Sequence, residues 1–565
     1  MKRTGPVLLV VCWVALLPWA PCAGQGPAGE KATLEGTVTD RVTGAGVRRV
    51  RVTVIPVQVL DSSPANLIDV TTDVGGRFAV RDLAPGRYRV MAYHPNYPRS
   101  WRHQGRIGEI EVSLGPGEEK RDISFAFTPG ATLGGRVLDE FGEPLPRCSV
   151  QLLDFLHYMG RKILEPAQGN STNDRGEYRI SHVSPGRYYL MASCSNLMLP
   201  SARPLAPPET ELEPDVAEAY GALLYPGVED LSGAARLSLA PGVELGGLDF
   251  HFRRVRVVTV RGTAVFPSGG TPPEAVNLQL IPDDPLARIT GQRDTRSDPK
   301  TGKFVITGVR PGTWKLMGSD TDSPAAWLAR VELTVGTAPV RDVKLELQPA
   351  LNLAGTLELE GERGAEQGKM QIYFSALDDA QPSSPPPATV GENGGFSIQG
   401  VFPGTWIVNV MPLPPNSYVK SIRLGDQESA GQVLVVPPAA AGPLRIVLSA
   451  NGSEISGVVE GAPAGSHPSV IVVANPEGDL SRNRHLQRVA RVSGGGSFLL
   501  RGLAPGEYRL HALETQDWTV PQNDDLLRAL EARSQRISVH EGQKSSVQLA
   551  LIPAAAIEAA QSQAQ

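Results

Sequence analysis

The segment GRFAVRDLAPGRYRVMA, residues 76–92, recurs four more times, as GEYRISHVSPGRYYLMA (176–192), GKFVITGVRPGTWKLMG (302–318), GGFSIQGVFPGTWIVNV (394–410) and GSFLLRGLAPGEYRLHA (496–512). The shared pattern is G-x-[FY]-x-[VIL]-x-x-[VL]-x-P-G-x-[YW]-x-[VL]. Apolar residues alternate on both sides of the Pro-Gly, with Phe78 and Val80 before it and Tyr88, Val90 and Ala92 after it. A period of two predicts strands with one buried face. Proline presets the second position of a turn and glycine accepts a positive φ at the third, so the pair is expected to hinge a hairpin through a type II turn. The repeat positions are Pro85, Gly86 and Tyr88; Pro185, Gly186 and Tyr188; Pro311, Gly312 and Trp314; Pro403, Gly404 and Trp406; Pro505, Gly506 and Tyr508.

Outward from this unit, a turn precedes each copy (TDVGG, NDRG, DPKTG, ENGG, SGGG), and further upstream lies a strand [LIV]-x-G-x-[VAL] at 34–38, 133–137, 260–264, 353–357 and 455–459. Glycine weakens a strand unless something occupies the space above it. The expectation is that the aromatic after each Pro-Gly lies over that glycine. Each unit closes with another alternating strand, such as RDISFAF or SVQLAL. Short strands at this spacing predict an all-β protein, a tandem array of five small β-sandwich modules. The modules are placed at 25–130, 131–256 (with an insertion at 200–235), 257–350, 351–450 and 451–555, followed by a tail, 556–565. Within the insertion, a short helix is expected near Asp215 to Leu224. Short linkers favour closely spaced beads on a string.

Lys2 and Arg3 precede the apolar run VLLVVCWVALL and a small-residue patch, which together read as a secretory signal peptide over 1–24. The formal net charge of -5 becomes -7 once those two cations leave, and no long basic block remains to serve a nucleic-acid partner. The mature chain keeps two cysteines, Cys148 and Cys194, both in the second repeat of an exported protein. Two readings stand for them, a bridge between neighbouring strands or two separate buried thiols.

These residues resemble the carboxypeptidase regulatory-like domain, a transthyretin-like (prealbumin-like) β-sandwich among the carbohydrate-binding-like folds. The glycine-bearing strand, the P-G-x-[YW] ending and the closing strand carry the resemblance through nearly the whole mature chain. LYPGVEDLSGAARLSLAPGVELGGLDFHF (224–252) and DDLLRALEARSQRISVHEGQKSSVQLALI (524–552) also look like segments of secreted bacterial proteins built from tandem copies. The resemblance implies a secreted, noncatalytic accessory module.

The zinc motif suggested by the family's name finds only HALE, His511 to Glu514, where strand geometry sends residues three apart to opposite faces. Nucleophile-elbow and phosphate-loop patterns are not found, and the Asp-bearing turns lack a calcium loop's ligand spacing. No cofactor and no enzymatic activity are expected. Trp314 and Trp406 belong in cores, whereas Trp101, Trp327, Tyr418 and Trp518 lie in loops beyond the Pro-Gly units. They either start the next strand and cover a sheet edge or form a row of ligand platforms. The functional expectation is a secreted or periplasmic binding protein for carbohydrate or another envelope polymer; the alternative is a structural spacer or assembly scaffold with envelope-protein partners.

Overall fold

The computed structural model describes residues 30–57, 67–98, 109–158, 161–194, 215–267, 275–320, 327–360, 370–377, 384–429, 432–439, 442–462, 470–478, 481, 483–493, 495–515, 517 and 519–564. The expected signal peptide lies outside them. The protein is all-β, built as five sandwiches in sequence. Each has its own apolar cluster, and each cluster contains the aromatic that follows the Pro-Gly: Tyr88, Tyr188, Trp314, Trp406 and Tyr508.

The first module shows the plan. Its strands are β1 Ala32–Asp40, β2 Arg51–Pro56, β3 Ile68–Thr71, β4 Arg77–Leu83, β5 Gly86–Tyr93, β6 Glu109–Leu114 and β7 Glu119–Phe127. One sheet runs β4-β1-β7 and the other β3-β2-β5-β6. Burial alternates along β1 and β5, so Leu34, Val38, Tyr88 and Val90 face the partner sheet. Completely burying a side chain of this size contributes roughly 1.5–3 kcal/mol.

This plan corrects the hairpin expectation. β4 pairs with β1, whereas β5 pairs with β2 and β6, so the Pro-Gly between them is a corner from one sheet to the other. Gly86, Gly312, Gly404 and Gly506 have φ of 148 to 158°, far from the roughly +80° of a type II turn and still in a region that favours glycine. Alternation shows which face of a strand is buried; it does not show which strand lies alongside.

The insertion also differs from expectation. Val216–Tyr220 and Ala222–Leu224 are strands, not a helix. The first pairs antiparallel with Arg254–Val258, the leading half of the third module's long opening strand, and so straps the second module to the third. Asp215 anchors the strap through Arg261 (3.3 Å) and Arg341.

Among the described residues, three α-helices interrupt the β pattern: α1 Pro285–Gly291, α2 Asp524–Ala529 and α3 Ala554–Ala564. The last occupies what the sequence reads as a tail. Ile557 and Ala560 of α3 join Leu526, Leu527 and Leu530 over Ile471, Val473 and Leu513, covering the outer face of the last module's strands Val470–Pro476 and Gly506–Glu514. Among the described residues, no helix is long and apolar enough to cross a membrane.

Candidate functional site

The Pro-Gly corner is the most repeated constellation in the chain, and its geometry explains the residue types at each position. Tyr88 Oη donates to Ala84 O (2.8 Å), Tyr188 Oη to Ser184 O (3.0 Å) and Tyr508 Oη to Ala504 O (3.0 Å). Trp314 Nε1 donates to Arg310 O (3.0 Å) and Trp406 Nε1 to Phe402 O (2.9 Å). In all five modules the ring therefore fills the core while its polar atom bonds the carbonyl of the residue before the proline. Phenylalanine would fill the space and leave that carbonyl without this donor, which accounts for Tyr or Trp there.

The glycine of the opening strand is covered, but by a different ring from the one expected. Phe78, Tyr178, Phe304, Phe396 and Phe498 stand directly across from Gly36, Gly135, Gly262, Gly355 and Gly457. A Cβ built on Gly36 would lie 2.6 Å from Phe78 Cζ and collide with the Ile123 carbonyl as well. At Gly135 the obstruction is the Leu248 carbonyl, which accepts the Tyr178 hydroxyl at 2.6 Å. The ring over the glycine thus belongs to the aromatic that opens the repeat, and the ring after the Pro-Gly serves the corner.

A third feature was missed by sequence reasoning. Asp82, His182, Gly308, Gly400 and Gly502 all have φ between 58 and 75°. At each of them the register of the preceding strand slips by one residue, as between the pairs Leu34↔Val80 and Ala32↔Leu83. Each corner is therefore entered through a β-bulge with one left-handed residue. Glycine at three of the five positions was the available signal.

The turns before the repeats use their acidic and amide side chains locally. Asp73 Oδ1 accepts from the backbone N–H of Gly75 and Arg77 (both 2.8 Å), and Asn173 Oδ1 accepts from Arg175 and Glu177 (both 2.9 Å). In HALE, His511 Nε2 faces Leu527 O at 3.3 Å, while Glu514 Oε2 accepts the Ala554 N–H at the start of α3 (3.0 Å). Burial pulls the His511 pKa down to about 4. Among the described residues, no group of three His, Cys, Asp or Glu side chains is placed to hold a metal ion.

The platform residues divide in two. Trp101 and Trp518 lie outside the described residues. Trp327 opens the strand Trp327–Val335 and is 7% exposed, its ring edge-on to Phe266 at 5.9 Å. Tyr418 opens Tyr418–Leu424 and is 3% exposed; burial and the neighbouring Glu541 carboxylate push its phenol up to about 12. Neither ring presents a face to solvent, so the platform reading is corrected for both. The cysteines are joined: Cys148 and Cys194 are bonded, one step beyond the cross-strand pair Ser149↔Ser193.

No curated protein matches the chain. Among solved structures, a Streptococcal ancillary pilin aligns at 13% identity over 57% of this chain and 100% of its own, with a TM-score of 0.20. A minor pilin of Streptococcus agalactiae aligns at 13% identity over 43% of this chain and 99% of its own, with a TM-score of 0.21. The Bacillus anthracis TIE protein aligns at 11% identity over 57% of this chain, with a TM-score of 0.17, and this chain spans 51% of that protein. The model of the carboxypeptidase regulatory-like domain matches residues 33–125, from β1 into β7.

Proposed function

We propose that this is an exported, noncatalytic structural protein, an assembly scaffold or spacer of the cell envelope or its exterior. The observation that carries the reading is how the modules interlock. The outer face of the second module, with Leu153, Met191 and Leu224, is covered by Leu286 of the third module's α1. The Gly452 N–H donates to Asn416 O (2.8 Å), the Gly502 N–H to Asn416 Oδ1 (3.0 Å) and Asn483 Nδ2 to Gln432 Oε1 (2.8 Å), fixing the fifth module on the fourth. Surfaces that independent binding modules would leave open are here joints. Export rests on the signal-like leader, and the absence of catalysis on the repeated constellation being wholly structural.

A glycan array and a pull-down with purified envelope polysaccharides, using the mature protein, test this reading against the polymer-binding alternative. The scaffold reading expects no retained glycan. Saturable binding to one polysaccharide, lost when Trp101 and Trp518 are both changed to Ala, would sink it.

A further inference from the structure

The second module's strands β8 Ala131–Leu138, β9 Ser149–Tyr158 and β10 Arg161–Ser171 include the longest hairpin among the described residues, ten residues of β9 against eleven of β10. One face of this hairpin meets α1 of the next module, with Leu153 and Leu164 beside Leu286. Its far end reaches a module to which it has no direct covalent link. Lys162 Nζ lies 3.3 Å from Asp525 Oδ2 on α2 of the fifth module, across 363 positions of sequence. His157 Nε2 lies 3.6 Å from the same oxygen, its side chain 11% exposed, and adds a second cation when protonated.

The contact is organised on both sides. The Lys162 ammonium sits 4.5 Å over the Phe155 ring, and Phe155 meets Tyr189 edge-on at 6.3 Å, so the lysine is backed by the body of the second module. On α2, Arg528 Nη1 holds the other Asp525 oxygen at 3.1 Å. Asp525 therefore offers one oxygen to the hairpin while Arg528 takes the other. A straight row of five beads would keep the second module away from the fifth.

We infer that the array is closed on itself by a clasp between the β9–β10 hairpin and helix α2, with Asp525 as the ionic catch. The second to fifth modules then form a folded-back unit and not a straight rod. The catch is partly exposed, so salt screens it and weakens the clasp.

Small-angle scattering and carbodiimide cross-linking of the mature protein test this directly. A nine-residue strand such as β1 makes a module about 30 Å long, so a straight string of five would be about 150 Å long with a radius of gyration of about 45 Å. The clasp predicts a radius well below that at low salt, and a Lys162–Asp525 cross-linked peptide from the monomer band. It predicts a larger radius in 1 M salt and in Asp525→Lys, with compaction restored by Lys162→Asp in the same chain. A wild-type radius near that of the rod, an unshifted radius in Asp525→Lys, or a cross-link confined to dimers would overturn it.

Discussion

Changing Tyr508 to Phe removes one oxygen and keeps the ring, so it isolates the reason for Tyr or Trp after each Pro-Gly. Tyr508 is 0% exposed and Ala504, whose carbonyl accepts its hydroxyl at 3.0 Å, is 7% exposed. Loss of the hydroxyl takes a donor from a carbonyl that is largely shielded from water, at a cost of about 1–3 kcal/mol. Five linked modules do not unfold in one step, so the cost is best read locally. Amide exchange in Gly506–Glu514 should quicken about 30-fold for a loss of about 2 kcal/mol. A second readout is pH. Burial pushes the Tyr508 phenol up to about 12 from its ordinary 10. The folded state therefore holds the proton more tightly than the unfolded chain. This contribution, about 3 kcal/mol, is complete below pH 10 and disappears between pH 10 and about 12. Tyr508→Phe should remove that portion of the alkaline loss. Exchange changed less than twofold in the variant would refute the donor explanation and leave ring volume as the reason.

Four further outcomes are expected. Replacing Cys148 and Cys194 together by Ala should destabilise the second module by about 4 kcal/mol, from the loop-closure relation applied to a separation of 46 residues, with urea melts of oxidised wild type as the reference. Gly355→Ala should cost about 1–3 kcal/mol or more, because its Cβ would meet Phe396 and the Leu444 carbonyl; exchange in Gly395–Val401 reads it, and Phe396→Leu in the same chain should recover part of the loss. Gly308→Ala should cost about 1–2 kcal/mol, since φ of 69° disfavours a side chain, and would be seen as earlier unfolding of the third module. His511 has its pKa lowered to about 4 by burial, so its contribution is complete above pH 6.5 and is lost as the pH falls toward 4; near-UV circular dichroism should show the C-terminal packing loosening over that interval, and less so in His511→Gln.

Much of this architecture could be read from the sequence because a period of two is a direct record of burial. Phe78, Val80, Tyr88 and Val90 are all in the first core, as their alternation implies. Strand partners are a long-range property that alternation does not encode, and for that reason the corner at Pro85 read as a hairpin. The exchange of roles between the two rings had a legible signal. Four of the five rings over the glycines are Phe, which offers no donor, whereas the five corner rings are all Tyr or Trp. Trp327 and Tyr418 each open a strand, the first of the two readings given for them, and local pattern decides between the two: Trp327 and Ala329 already alternate as the buried face of a strand. The acidic, alanine-rich run after Asp215 is compatible with helix on composition alone, and only pairing with Arg254–Val258 makes it a strand.

The corner carries a second constraint that helps explain why it is the most repeated text in the chain. In several joints, the residues entering a module's corner rest on the module before it. A Cβ on Gly130, in the link after the first module, would strike the backbone of His182, the left-handed residue of the second module's corner. Arg310, next to Pro311, reaches back to Glu229 of the second module at 2.9 Å. Gly502, the left-handed residue of the fifth corner, donates its N–H to Asn416 of the fourth module, and a Cβ on it would lie 2.9 Å from Ser417 O. The bulge that turns the chain between sheets thus also helps seat one sandwich on another. A substitution there acts on two modules at once, because the same few residues close one core and seat the neighbouring module.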